Sequence, residues 1–222
     1  MDVSVFQSFL NSSAVPWLPD ATLARWAWHG AWAVVLAALV SCLACGRTWR
    51  VGLMLLVALW TLWPGPASPA YWLGLAFQSP SGMSVVLCLV WVSRMRPRRA
   101  FVYRVRSVLS RNEVILTLGG VLLGWVLLGD MLAWWPVSVY ALGFGTPALA
   151  LVCVLALWLG LTGDASSVGQ AASWSLLLVL LMFVLTRLPS GNLWDALLDP
   201  WLWLVLQIRV LMWLLRSKVQ RW

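Results

Sequence analysis

Seven apolar stretches alternate with short polar or basic connections along the chain, at about 22–45, 51–63, 83–93, 114–129, 148–161, 171–185 and 201–215. Stretches so poor in charge predict membrane helices, since a helix rising about 1.5 Å per residue needs roughly 20 apolar residues to cross a core about 30 Å thick. The second and third stretches are short by that measure. Pro64-Gly65-Pro66 stops the second. The apolar patch at 71–77 reads either as a segment lying on the membrane surface or as the first half of a broken third helix. Residues 131–147, with Trp134, Trp135, Pro136 and Tyr140, read as an interfacial segment leading into the fifth stretch.

Local signals refine these elements. His29, Ala33, Ala37, Ser41 and Cys45 recur every fourth residue, and small residues so spaced let another helix come close. Gly120 and Gly124 make a GxxxG face in the fourth stretch. Ser110-Arg-Asn-Glu113 has the form of a capping box, which assigns Glu113 a structural task. Asp199-Pro200 reads as the N-cap and first residue of the last helix.

The basic segment 94–111 carries seven of the fifteen Lys and Arg residues and sets the orientation. Basic loops stay on the cytoplasmic side during insertion. Placing this one inside also puts Arg47, Arg50 and the basic C-terminus inside, with Asp2, Asp20, Asp130, Asp195 and Asp199 outside. The fold class is therefore all-α, a polytopic integral membrane helix bundle of about seven spans forming one domain over residues 1–222. Its N-terminus is outside and its C-terminus cytoplasmic. Phe101, Val102, Val105, Val108 and Leu109 fall on one helical face of the loop, so it predicts an amphipathic surface helix. Arg94, Arg96, Arg98, Arg99, Arg104 and Arg106 are the candidate contacts to anionic lipid headgroups.

Composition agrees: 62% of residues are hydrophobic, 10% are charged and the mean hydropathy is +0.88. Nineteen tryptophans suit the headgroup level, where an indole is half apolar and its N–H finds a partner. In a soluble protein the net charge of +8 would suggest nucleic acid; here the positive-inside rule accounts for it, and no nucleic-acid partner is expected. Arginine greatly outnumbers the single Lys218, and with abundant Ala, Gly, Leu and Trp this points to a bacterial source and its inner membrane. With Asp2 and no basic residue before Arg25, no cleaved signal peptide is expected.

Candidate chemistry is sparse. Cys42 and Cys45 form a CxxC inside an apolar run and read as two small packed thiols. His29, the only histidine, has no metal-ligand cluster around it, and no metal or cofactor is expected. Arg209, with Gln207 nearby, falls in the seventh stretch, where a charge is costly and no acid lies at the same depth. The pair therefore predicts contact with a partner, unless Arg209 snorkels to the inner headgroups. Arg25, His29, Asp130, Arg187, Asp195 and Asp199 are the polar candidates on the outer face. Asp195 and Asp199 would share a helical face, and Asp195 could pair with Arg187. Retinal chemistry is excluded, because Lys218 lies beyond the last span.

Three functions remain. The first is a non-enzymatic subunit of a larger inner-membrane assembly for transport, secretion or biogenesis, with lipid and other membrane subunits as partners. The others are a small permease or channel, and a membrane enzyme on lipid-linked substrates using the outer acids.

Overall fold

The computed structural model describes residues 18–43, 46–93, 110–162 and 167–219. Among them the chain forms ten helices and no strand: α1 Ala21–Ser41, α2 Arg47–Leu62, α3 Pro69–Phe77, α4 Gly82–Ser93, α5 Arg111–Met131, α6 Val139–Leu142, α7 Thr146–Thr162, α8 Ser167–Thr186, α9 Leu193–Leu197 and α10 Pro200–Val219. Each of the seven apolar stretches is helical, and α3, α6 and α9 lie in the connections. The expected amphipathic helix in the basic loop, with its six candidate arginines, and Cys45 lie outside the described residues.

Helix bounds differ from the sequence reading where polar residues do local work. The capping box at Ser110 and Glu113 is present, so α5 begins at Arg111 instead of 114. The 71–77 patch is a helix, α3, capped by Ser68 and closed at Gln78, and α4 follows as a separate helix from Gly82. The first stretch ends at Ser41, four residues short of Cys45. Among the described residues two helices, α1 and α5, are long and apolar enough to cross a membrane; α4, with 12 residues, is about 18 Å long.

Helix α8 is the centre of the larger half of the bundle and packs against α4, α5, α7 and α9. Leu176, Val179, Leu180 and Phe183 make its buried stripe at helical spacing, and Leu193, Trp194 and Ala196 close the core from the α9 side. The sequence could not show that stripe, because the opposite face of α8 is just as apolar. A smaller half joins α1 to α2, α3 and α4.

Tryptophans hold these helices together in a repeated way. The Trp203 indole of α10 lies on Gly124 of α5 and donates its N–H to Val121 O at 3.2 Å, one turn before the glycine. Trp28 lies on Gly74 and donates to Ala70 O at 3.1 Å. Trp194 on Gly143 and Trp135 on Gly129 repeat the arrangement, with Val139 O and Val126 O as acceptors. A Cβ at position 74 would lie 1.6 Å from the Trp28 ring, and one at 124 would lie 2.2 Å from Nε1 of Trp203. A glycine thus opens the notch, the indole fills it, and its single donor is satisfied by a helix carbonyl.

These notches separate two kinds of glycine in α5. Gly119 faces open space, so Gly119→Ala should raise stability by up to about 1 kcal/mol through helix propensity alone. Gly124→Ala must displace a rigid indole and break its hydrogen bond, and should cost about 3 kcal/mol. Thermal unfolding of both variants in mild detergent checks the contrast.

Candidate functional site

Contacts between distant segments sort the helix ends into two groups. At one end Trp91 of α4 donates to Ser41 of α1 at 3.0 Å, and the start of α5 meets the end of α7. Arg47, Arg50, Arg111 and Glu113 lie towards this end, and the basic segment 94–109 connects the two helices, α4 and α5, that reach it. At the opposite end Ser81 N donates to Asp199 at 2.8 Å and Leu193 N donates to Gly143 O at 2.9 Å. Asp20, Asp130, Asp195 and Asp199 lie there, with Arg25, His29 and Arg187.

The expectation that Arg209 lacks an ionic partner within the chain is corrected. Its Nη2 donates to Glu113 Oε1 at 2.8 Å. Helices α5 and α10 run antiparallel, and Trp203 on Gly124 is followed by Leu206 on Gly120 and then Arg209 on Glu113. The GxxxG face thereby draws the two helices close, and the last contact of the seam is ionic. Glu113 has a second task beyond the cap: Oε2 accepts from Ser110 N at 3.1 Å while Oε1 takes the arginine. The sequence reading assigned Glu113 wholly to its own helix end, which hid it as a partner across the bundle. Gln207 is half-buried on α10.

The start of α5 also serves α7. Arg111 Nη2 donates to Thr162 O at 2.6 Å, and its guanidinium stands 5.9 Å from the Trp158 ring. Asn112, 1% exposed, donates through Nδ2 to Leu159 O at 2.8 Å and to Ser173 Oγ at 2.9 Å. Two side chains therefore satisfy carbonyls in the last turn of α7, where a cation also suits the helix dipole. The sequence reading passed over Asn112, since nothing marks a polar residue in a first turn as reaching two other helices.

At the acidic end each described carboxylate is engaged. Asp20 accepts from Leu23 N at 2.9 Å as the N-cap of α1. Asp130 accepts from Val139 N, Tyr140 N and Ser138 Oγ, tying the end of α5 to α6. Asp199 caps α10 through Leu202 N at 2.7 Å, while its other oxygen accepts from Ser81 N and Ser84 Oγ of the α4 entry. Asp195 accepts from Tyr140 Oη at 2.7 Å and from Ser190 Oγ. The expected Asp195–Arg187 pair is therefore replaced: the Arg187 guanidinium lies over the Phe183 ring at 5.1 Å. Asp195 and Asp199 do not share one helix face either, because α9 ends at Leu197 and the two acids hold separate partner sets.

His29 Nδ1 donates to Thr61 O at 2.9 Å, which also accepts from Ser68 Oγ, so the ring ties α1 to α2. Ala33 and Ser41 are buried on the same stripe, Ala37 is half-buried, and Arg25 is exposed. Cys42 is exposed at the end of α1. Among the described residues no group of three His, Cys, Asp or Glu could hold a metal. Comparison with protein-family models, with curated proteins and with solved structures finds no match to this chain.

Two measurements test this geometry. A double-mutant cycle with Arg209→Leu and Glu113→Gln in detergent should give a coupling of about 1 kcal/mol, as for a half-exposed pair. The Gln keeps an oxygen for Ser110 N–H, so the cap survives while the charge is lost. The second concerns Tyr140, whose phenol is pushed up to about 12 by burial first and then by Asp195. The raised value means that the neutral phenol is favoured in the fold. This contribution is fully present below the ordinary value of 10.0 and is lost as the pH rises through about 12. Phenolate absorbance of the protein against Tyr140→Phe should show this late titration, and Asp195→Asn should bring it to lower pH.

Proposed function

We propose that the chain is a multi-pass integral membrane protein, N-terminus outside and C-terminus cytoplasmic, that serves as a non-enzymatic subunit of a larger bacterial inner-membrane assembly for transport, secretion or biogenesis. Large apolar side chains on the outer surface of the helices support the membrane part: Leu56 is 63% exposed, Leu122 65% and Leu151 70%. Water would penalise such surfaces and lipid would not. The charge pattern supports the orientation, with Asp20, Asp130, Asp195 and Asp199 against Arg25 and Arg187 at one bundle end, and Arg47, Arg50, Arg111 and the basic segment against Glu113 at the other.

One observation carries the non-enzymatic part. Glu113, Asp20, Asp130, Asp195 and Asp199, the five described carboxylates, all hold helix ends or cross-bundle ties. A general acid or base must be able to reach a substrate, and these are committed to neighbours in the fold. The enzyme reading depended on Asp195 and Asp199 in particular. Against a permease, a small depression among the described residues, lined by Val114, Thr117, Leu118, Arg209, Val210 and Trp213, offers no polar route between the two ends. With Arg209 paired inside the chain, the subunit reading rests on these points and on the shortness of α4, which a neighbouring chain would complement.

The test is purification from native membranes in mild detergent after brief cross-linking, with periplasmic-active reporters fused after Arg98 and after Trp222. The reading expects a stoichiometric companion and silent reporters. A chain that runs alone in cross-linked and untreated samples removes the subunit role, and an active reporter at either site removes the topology.

A further inference from the structure

Gln207 lies midway along the apolar stretch Pro200–Leu215 of α10, about 11 Å from either end of it. A glutamine side chain does not reach that far, so in a membrane it finds neither headgroup nor water at its own level. The residue is half-buried, its carboxamide is not enclosed, and among the described residues nothing hydrogen-bonds to it. The helix carbonyls around it already accept from the backbone. Helix α10 packs on α5 through Trp203, Leu206 and Arg209. Gln207 stands to one side of that seam. Leu204, three residues before it, and Leu211, four after, share its face and are 48% and 57% exposed.

Lipid suits the leucines of this face and leaves the carboxamide without a partner, which only another polar group at the same depth can supply. A carboxamide carries both donors and acceptors, so it is complementary to a second carboxamide, each oxygen accepting from the other's N–H. We propose that α10 is the dimerisation helix of this chain, with Gln207 paired to the same residue of a second copy. Copies of one chain insert in one orientation, so a two-fold axis along the membrane normal sets both carboxamides at equal depth. A different partner would have to bring an amide of its own to that level. Arg209, about 200° round the helix from Gln207, stays with Glu113, so no like charges meet at the axis. Leu204 and Leu211 close the seam one turn to either side. The inference rests on the membrane reading above and names one partner of the subunit proposed there.

The experiment places full-length protein, labelled at its C-terminus with donor or acceptor fluorophores, in liposomes of phosphatidylethanolamine and phosphatidylglycerol. Energy transfer is followed as the protein is diluted in lipid. The unmodified protein should self-associate, and Gln207→Leu should need about tenfold more protein per lipid, as expected for the loss of a paired interhelical hydrogen bond. That variant should unfold no earlier on heating, since the α5 seam is untouched. With the native cysteines replaced by Ala, Leu204→Cys and Leu211→Cys should cross-link to dimers under mild oxidation. Val205→Cys and Met212→Cys, exposed on the other side of α10, should not. A monomer at every dilution, undiminished association in Gln207→Leu, or cross-linking that ignores the face overturns the proposal. So does a cross-link from position 204 or 211 in native membranes to another protein alone. A dimer without a companion in native membranes would end the role in a larger assembly and leave this inference standing, and a companion beside a monomeric chain would do the reverse.

Discussion

The bond from an indole N–H to a helix carbonyl beside a glycine is the interaction on which the rest of this structure depends. Between helices that are apolar on every face, burial gives little preference for one neighbour over another, so close packing and polar ties must choose. Trp203 with Gly124 and Trp28 with Gly74 provide both at once. The indole brings a large contact area, and its donor finds a single acceptor at one turn's distance. Shape and polarity therefore agree on a single register between each pair of helices. Arg209 and Glu113 sit further along the α5–α10 seam, six residues beyond Trp203 on α10 and eleven from Gly124 on α5, and inherit the register that the notch has set.

Charge serves the fold in the same economical way. Glu113 accepts from a helix start with one oxygen and from the opposing helix with the other. Asp199 likewise caps α10 with one oxygen and receives the entry to α4 with its other. Each carboxylate thus joins a local task, a helix cap, to a distant one. Two cations at the opposite ends are held against aromatic rings, Arg111 by Trp158 and Arg187 by Phe183. Among the described residues, the carboxylates are all architectural.

Much of the helical layout was legible in the sequence because its signals are local. The capping box at Ser110, the Asp199-Pro200 start and the Pro64-Gly65-Pro66 stop each need only a few adjacent residues. The partners were not legible. Arg209 looked unpaired because Glu113 already had an explanation, and a residue satisfied in one role gives no sign of a second. Asp195 was assigned to Arg187 by opposite charge at the same end, whereas Tyr140, 55 positions away, was brought to it by the fold. The core stripe of α8 was hidden for a different reason, since an all-apolar helix carries no periodicity to read. Tryptophan count suggested headgroup anchors, and only coordinates could reveal which indoles lie in glycine notches.

The joint at the start of α5 has a mechanical consequence. Arg111 and Asn112 grip the final turn of α7, and Asn112 also reaches Ser173 of α8. Residue 110 follows directly on the basic segment, so a pull on that segment is delivered at one end to this joint and at the other to α4, which Trp91 ties to Ser41 of α1. The most strongly charged stretch of the chain is in this sense a strap between the two halves of the bundle, anchored on three helices at one end and on α4 and α1 at the other.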